Sequence, residues 1–454
     1  MTAEATWYLI IGGLLIAMAL ARRLIAHLPM TGAMVYLVVG FVLGPAVTGL
    51  LKPNLLEGVH ALRLVTEAGL VVSLFAIGMY LRVPLRNRLW LLPLRLGLGA
   101  MLLTIAAMAA LAYYGLGLEA GLALIVAAAL APTDPVLANE LRPRQAGDDE
   151  PLRFALSGEG GCNDGAAWPF MLLGLALCGI DLHGGSLFSL PFGIHIGSGA
   201  ASFAASLAWG LGSAVAIGWL LGAGVVALVT RLRMHTEVAI GVEGFLALGL
   251  MSACYGATQL LHGYAFVAVF VAGVALRHEE LRATGGDAAP TEMLEKIEHG
   301  ERSEAAHTPG LAHVFVAESM MAFAVEIEHT VELVLMLIIG SVVSAYWREI
   351  LAWHALWPAL ALLFVVRPLC TLIALAGSQA TWPQRLLAGW LGIRGVGAFY
   401  YLLFAIEQLQ RTALDAALAV VMAAIVGSVF LHGVSATLLL ERYLRAPAQR
   451  ARRH

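Results

Sequence analysis

Charged side chains are scarce in this chain. Only 13% of its 454 residues are Asp, Glu, Lys or Arg, where soluble proteins carry about 25%. A soluble globule of this length cannot cover its core with so few charges. The deficit excludes a soluble enzyme, a nucleic-acid binder and a disordered chain, and leaves the bilayer as solvent. Cysteine is also rare. Cys162, Cys178, Cys254 and Cys370 all lie in apolar stretches without paired spacing. They read as small buried hydrophobes, not as disulfides or zinc ligands. The N-terminus lacks a basic leader: Glu4 precedes the first apolar run, and Arg22 and Arg23 follow it. This predicts a retained first helix with its N-terminus outside. The net charge of −3 implies no bulk attraction to nucleic acid or acidic lipid.

Apolar residues are abundant: 60% of the chain is hydrophobic, and the mean hydropathy is +0.83. Long apolar runs alternate with charged or Gly/Pro-rich breaks. They predict thirteen spans, at about 7–21, 30–48, 62–81, 93–115, 119–141, 152–180, 199–230, 236–260, 262–276, 319–346, 354–376, 385–407 and 413–440. The runs are long and do not alternate in polarity, so they read as helices and not as barrel strands. The fold class expected is an all-α polytopic membrane protein.

The basic residues orient it. With the N-terminus outside, the inside loops hold Arg22 and Arg23, the arginines from Arg82 to Arg95, those from Arg142 to Arg153, Arg231 and Arg233, the basic residues from Arg277 to Arg302, Arg385, and the tail from Arg442 onward. The outside loops hold only Lys52, Arg63, Arg348 and Arg411. The positive-inside rule supports this topology. Two arginines, Arg367 and Arg394, fall within apolar spans. The long polar segment 277–318 reads as a solvated inside connector, with a short surface helix at about 290–306. A sharper alternative is a pH-sensing flap, because His278, His299, His307 and His313 stand among its acids.

A charge at the bilayer centre costs at least about 3 kcal/mol, so ionisable residues deep within spans are functional candidates. The strongest are Asp134, Glu159, Asp164, Arg367 and Arg394. Glu67, Glu237, Glu243, Glu326, Glu328, His329 and Glu332 stand nearer span ends and read as interfacial or inter-helix partners. Pro132 and Pro135 bracket Thr133 and Asp134 in mid-span. Each proline removes a backbone donor. Opened backbone at this depth is tolerated where it is buried in protein or lines a wet cavity, and discontinuous helices build ion sites in transporters. The simpler reading is a proline kink with Asp134 as a helix cap, which leaves a carboxylate in mid-membrane unexplained. In the next span, Glu159 and Asn163 are four residues apart on one helix face, with Asp164 adjacent. Oxygen ligands of this kind suit a small hard cation. The glycines around them, Gly158, Gly160, Gly161 and Gly165, admit neighbouring backbones. A buried arginine keeps its proton and needs a carboxylate partner. Glu159 is the expected partner of Arg367.

At these residues the sequence resembles the monovalent cation:proton antiporters, in their sodium/proton exchanger branch. The likeness covers nearly the whole chain. TDP at 133–135 is similar to the family's unwound-helix motif, and GEGGCND at Gly158–Asp164 resembles its GES-x-x-ND motif. VTEAGLVVSLFAIGMYLRVPLR resembles its third helix, VVRPL its eleventh and GIRGVG its twelfth. The resemblance implies a homodimer of thirteen-helix protomers, with inverted repeats and two crossed discontinuous helices, the fifth and the twelfth. It implies a scaffold of residues 1–92 and 231–348, a transport core of 93–182 and 349–441, a connecting helix at 199–230 and a short basic cytoplasmic tail at 442–454. Asp164 would exchange cation and proton, Asp134 and Thr133 would complete the Na⁺ site, and Asn163 marks the electroneutral branch. Glu159 and Arg367 would pair, and Arg394 would stabilise the core. The chain departs from the family at Gly160, where a serine is usual, so a hydroxyl ligand is missing and K⁺ stays open beside Na⁺ and Li⁺.

The expected activity is Na⁺/H⁺ antiport at the cell (inner) membrane, serving pH homeostasis. It needs no resident cofactor, and its partners are the transported ions, membrane lipid and a second copy of the chain. An intramembrane aspartyl protease using Asp134 and Asp164 is a rival, but the YD and GxGD contexts of such enzymes are absent here. A passive channel needs no titratable carboxylate in its barrier. A sensor needs an output domain, for which the tail after Tyr443 is too short.

Overall fold

The computed structural model describes residues 31–53, 55–134, 150–180, 200–235, 242–284, 311–409 and 415–451, with a few isolated positions elsewhere. Fourteen helices of nine or more residues order these residues. They are α1 (Gly32–Leu43), α2 (Leu55–Tyr80), α3 (Arg88–Gly115), α4 (Ala120–Leu130), α5 (Pro151–Ala166), α6 (Trp168–Leu177), α7 (Ala200–His235), α8 (Glu243–Leu260), α9 (Ala265–Ala283), α10 (Leu311–Ala345), α11 (Trp353–Ala374), α12 (Trp382–Trp390), α13 (Val396–Leu409) and α14 (Asp415–Ala451). The strand content among the described residues is one antiparallel pairing of Ser189–Leu190 with Ile194–His195. Among the described residues, five helices contain stretches long and apolar enough to cross a membrane: α2, α3, α7, α11 and α14. Most of the first predicted span, the end of the fifth (135–141) and the surface helix at 290–306 lie outside the described residues.

Two predicted spans are broken helices. The sixth divides at Ala167, between α5 and α6, because Pro169 follows and cannot donate to the preceding turn. The twelfth divides into α12 and α13, with Leu391–Gly395 non-helical between them. Gly392 and Gly395 carry the propensity cost of this stretch. The fifth span leaves its helix at Leu130, just before Pro132.

Small residues set the packing. α2 and α9 cross at Gly78 and Gly273, each lying against backbone of the other helix, and α1 and α10 cross the same way at Gly40 and Gly340. Without Cβ atoms the backbones approach closely, which matters where lipid tails give no hydrophobic drive to helix association. α9 also packs on α7 and α8, and α2 on α10. The remaining helices pack together: α3 against α4 and α5, α4 against α6, α13 and α14, and α11 against α12 and α14. α5 meets α9 where Gly161 faces the Phe270 ring and Gly165 faces Val267. This last contact holds the acidic helix against the α2–α9 group.

The polar segment 277–318 is shorter than the sequence implies. α9 runs to Ala283 and α10 begins at Leu311, so Arg277, Glu280, His313 and Glu318 are helical. Arg277 is fully buried. Its Nε donates to the Met79 carbonyl at 2.7 Å, and Nη1 pairs with Glu280 and, at 2.9 Å, with Glu318. Arg82 joins this cluster through Glu318. Arg277 therefore belongs with the buried arginines and not with the loop charges. His278 stacks near Trp219, ring centroids 5.2 Å apart. His299 and His307 lie outside the described residues.

Candidate functional site

The site forms where the unwound end of the fifth span crosses the break in the twelfth. The chain leaves α4 at Ala131 and reaches Asp134, and it leaves α12 at Leu391 and re-enters helix at Val396. The Asp134 amide donates to the Ile393 carbonyl at 2.7 Å, so the two unwound strands bond directly. The Asp134 carboxylate accepts from the Val396 amide, at the positive end of α13. The Arg394 guanidinium donates through Nη1 to the Ala131 carbonyl, at the negative end of α4. Each unwound segment thus caps the helix of the other with a charge of the sign its dipole favours. The Arg394 amide donates to Ser428 Oγ on α14 at 2.8 Å. Backbone groups freed by the breaks are in this way satisfied within protein.

This arrangement corrects one expectation. The sequence predicts a carboxylate partner for each buried arginine, and Arg394 forms no ion pair among the described residues. It caps a helix C-terminus instead, and its Nε and Nη2 have no hydrogen-bond partner. Arg367 does meet the expectation. It grips Glu159 bidentately, Nη1 to Oε1 at 2.5 Å and Nη2 to Oε2 at 2.8 Å, and both residues are buried. Its Nη2 also donates to the Ala388 carbonyl at 3.1 Å, near the end of α12. Gly392 leaves room for this guanidinium: a Cβ there would collide with Arg367 Nε.

Asp164 and Asn163 lie on α5 and are 1% and 0% exposed. Asn163 Nδ2 donates to Thr133 Oγ1 at 2.7 Å, tying α5 to the unwound part of the fifth span. Asn163 Oδ1 and both Asp164 carboxylate oxygens are buried without a hydrogen-bond partner among the described residues. Acceptors left this way are costly unless a proton or a cation satisfies them. Gly397, in the first turn of α13, lies against Asp164; a Cβ there would stand 2.8 Å from Oδ1. Asp134 and Arg394 are the electrostatic neighbours of Asp164. The structure therefore brings Thr133, Asp134, Asn163 and Asp164 to one crossing, and places Glu159 in the adjacent ion pair with Arg367. Among the described residues, no three of His, Cys, Asp and Glu are grouped to hold a metal ion.

The sequence reasoning missed three contributors. The Tyr401 hydroxyl donates to the Asp164 backbone carbonyl. Ser428 holds the Arg394 backbone, and His432 in turn bonds Ser428 at 2.9 Å. The neutral hydroxyls of Tyr401 and Ser428 give no signal of their own in an apolar run, whereas His432 is an ionisable residue within the last span and carries the same signal as the acids. The inter-helix reading holds for Glu67: Arg63 donates to it and to Glu407, and Tyr255 also donates to it. Of the other acids near span ends, Glu243, Glu328 and Glu332 are buried, while Glu237 lies outside the described residues.

The sodium/hydrogen exchanger transmembrane family profile matches residues 11–442. The chain belongs to the sodium/hydrogen exchanger family. It is a multi-pass helical membrane protein and a secondary transporter, not an enzyme. Two solved structures share its fold. One is the sodium proton antiporter MjNhaP1 from Methanocaldococcus jannaschii at pH 8, with TM-score 0.67, 18% identity and 97% and 98% of the two chains covered. The other is an electron-microscopy structure of the same antiporter, with TM-score 0.71 at the same identity and coverage. A search among curated proteins finds no match. Family membership sets the protease reading aside. The geometry agrees, because Asp134 is engaged as a helix cap.

Proposed function

We propose that this exchanger carries Na⁺, and also Li⁺, against H⁺ in one-for-one electroneutral exchange, with Asp164 binding cation or proton in competition. The observation that carries this reading is the Asp164 carboxyl group, buried at the helix crossing with both oxygens unsatisfied among the described residues. Thr133, Asp134 and Asn163 complete the cation site. A bare carboxylate in the barrier costs at least about 3 kcal/mol, so the core moves only when proton or cation neutralises it. The moving part is the core of 93–182 and 349–441. It moves against a scaffold of 1–92 and 231–348 that pairs in a homodimer, with the N-terminus outside and the tail inside. MjNhaP1 is described as a sodium proton antiporter, and the shared fold supports this assignment. In one-for-one exchange a pH unit, about 1.4 kcal/mol, balances a tenfold cation gradient.

The test uses proteoliposomes with a trapped pH indicator. Na⁺ and Li⁺ jumps are expected to move protons the opposite way, with K⁺ much weaker. A response to K⁺ that exceeds the response to Na⁺ makes the protein a K⁺/H⁺ antiporter of the same fold, the outcome that Gly160 leaves open. A cation flux without proton counter-movement refutes the exchange mechanism.

A further inference from the structure

A second polar cavity lies away from the ion site, at the end of the bundle where the arginine bias places the cytoplasm. Its volume is about 310 Å³, within the range of pockets that hold small ligands, about 300–1,000 Å³. Arg88 and Arg95 of α3 line one side, and Ser378 and Gln379 of the α11–α12 connection with Gln384 of α12 line the other. No carboxylate lines it among the described residues.

The cavity is built, not incidental. Arg95 Nη1 donates to the Ala376 carbonyl at 3.0 Å. Arg385 donates to the Ala380 and Ser378 carbonyls at 2.9 Å each. These two guanidiniums pin the turn that forms the far wall, and Gly377 within it takes a positive φ of 68°. Gln384 is held by Thr381 and Tyr443. Arg88 differs from all of these: it lines the same cavity, is exposed, and pairs with no carboxylate among the described residues. Two guanidinium groups facing a cavity without a counter-charge suit a phosphate group, whose oxygens match their donor fork.

The surroundings select the source of that phosphate. Leu91 lines the cavity and is 55% exposed, and Leu94, Ile373, Trp382 and Leu386 expose apolar surface on the flanking helices. Trp382 also stacks on Arg385, 5.5 Å from ring centroid to guanidinium, as aromatic residues do at the headgroup level. Basic pockets between transmembrane helices on the cytoplasmic side are suited to anionic headgroups. We infer that this cavity binds the phosphate headgroup of an anionic membrane phospholipid through Arg88 and Arg95, with the acyl chains along the exposed leucines. The lipid bridges α3 and the α11–α12 turn, which lead to the ion site through Arg367 on α11 and the unwound stretch after α12.

The test is thermal unfolding of the purified full-length protein in mild detergent. It is titrated with phosphatidylglycerol, with phosphatidylcholine of the same chain length, or with inorganic phosphate. Phosphatidylglycerol is expected to raise the melting temperature saturably, and phosphatidylcholine and inorganic phosphate are not. In Arg88→Gln the lipid-free melting temperature stays at the wild-type value, because Arg88 makes no ion pair, while the apparent affinity for phosphatidylglycerol falls about fivefold, the size expected for one basic group at a membrane surface. Arg86→Gln, exposed nearby and outside the cavity, is the control and keeps wild-type affinity. Equal affinity in wild type and Arg88→Gln, or equal loss in Arg86→Gln, overturns the site. Stabilisation by inorganic phosphate equal to that by the lipid overturns the lipid assignment.

Discussion

Asp134 and Val396 join the fifth and twelfth spans: the carboxylate of one caps the amide end of the helix that begins at the other. Arg394 returns the relationship with opposite sign at Ala131. Asp134 is a helix cap in the structure, and in the proposed exchange it also supplies charge; the two roles are separable. Asp134→Asn keeps an acceptor for Val396 and is expected to stay within about 1 kcal/mol of wild-type stability while losing Na⁺-driven proton movement. Asp134→Ala removes the cap as well and costs about 1–2 kcal/mol more. Melting curves set beside transport assays separate the two roles. Equal transport in wild type and Asp134→Asn contradicts the charge role.

The Glu159–Arg367 pair is fully buried, so removing one partner strands the other. Arg367→Met is expected to destabilise by about 3–5 kcal/mol. The double variant with Glu159→Gln recovers much of that loss, because no bare charge remains. Size-exclusion profiles and thermal unfolding of both variants read this out. If the double variant is as unstable as the single one, packing and not charge pairing is the role of Arg367.

Gly397 is a probe of distance to Asp164. In Gly397→Ala the new methyl meets Asp164 Oδ1 at 2.8 Å, tighter than a normal contact. The variant is expected to fold and to need a higher Na⁺ concentration for half-maximal exchange. An unchanged Na⁺ dependence means that Asp164 turns away without cost.

Much of this site is legible in the chain itself, for a physical reason. An ionisable residue in an apolar run is expensive, so Asp134, Asp164, Glu159, Arg367 and Arg394 announce themselves, and the prolines around Asp134 mark the break. Burial at the ends of spans is not legible. Arg277 counts as a loop charge by its position but is enclosed by Glu280, Glu318 and the Met79 carbonyl. Tyr401 and Ser428 are invisible for the opposite reason, since single hydroxyls are cheap in a membrane helix. The partner of Arg394 is not legible either, because a helix end offers negative charge that no residue letter records.

His313 stands in the polar segment before the tenth span, beside the buried Arg277 cluster. Burial lowers its pKa below the ordinary 6.5, against an upward pull from Glu279 and Glu280. A histidine kept neutral by the fold binds fewer protons folded than unfolded. Its contribution is complete above about pH 6.5 and is lost as pH falls below that value. Melting temperature measured from pH 7.5 to 5.5 is expected to fall more in wild type than in His313→Gln. Parallel slopes contradict this placement of the histidine.

Electroneutrality makes a separate demand. With K⁺ and valinomycin setting the membrane potential of proteoliposomes, the Na⁺-driven proton flux is expected to be the same at zero and at inside-negative potential. One charge moved per cycle would be worth about 2.3 kcal/mol per 100 mV, which gives a clear difference in rate or end point.

The competition of proton and cation for one carboxylate is tested most directly by Asp164→Asn in the same proteoliposomes. The side chain is nearly isosteric and cannot carry a charge. The account predicts a folded protein whose Na⁺ jump moves no protons at any pH from 6 to 9. Exchange that persists in Asp164→Asn, with wild-type Na⁺ dependence, contradicts it.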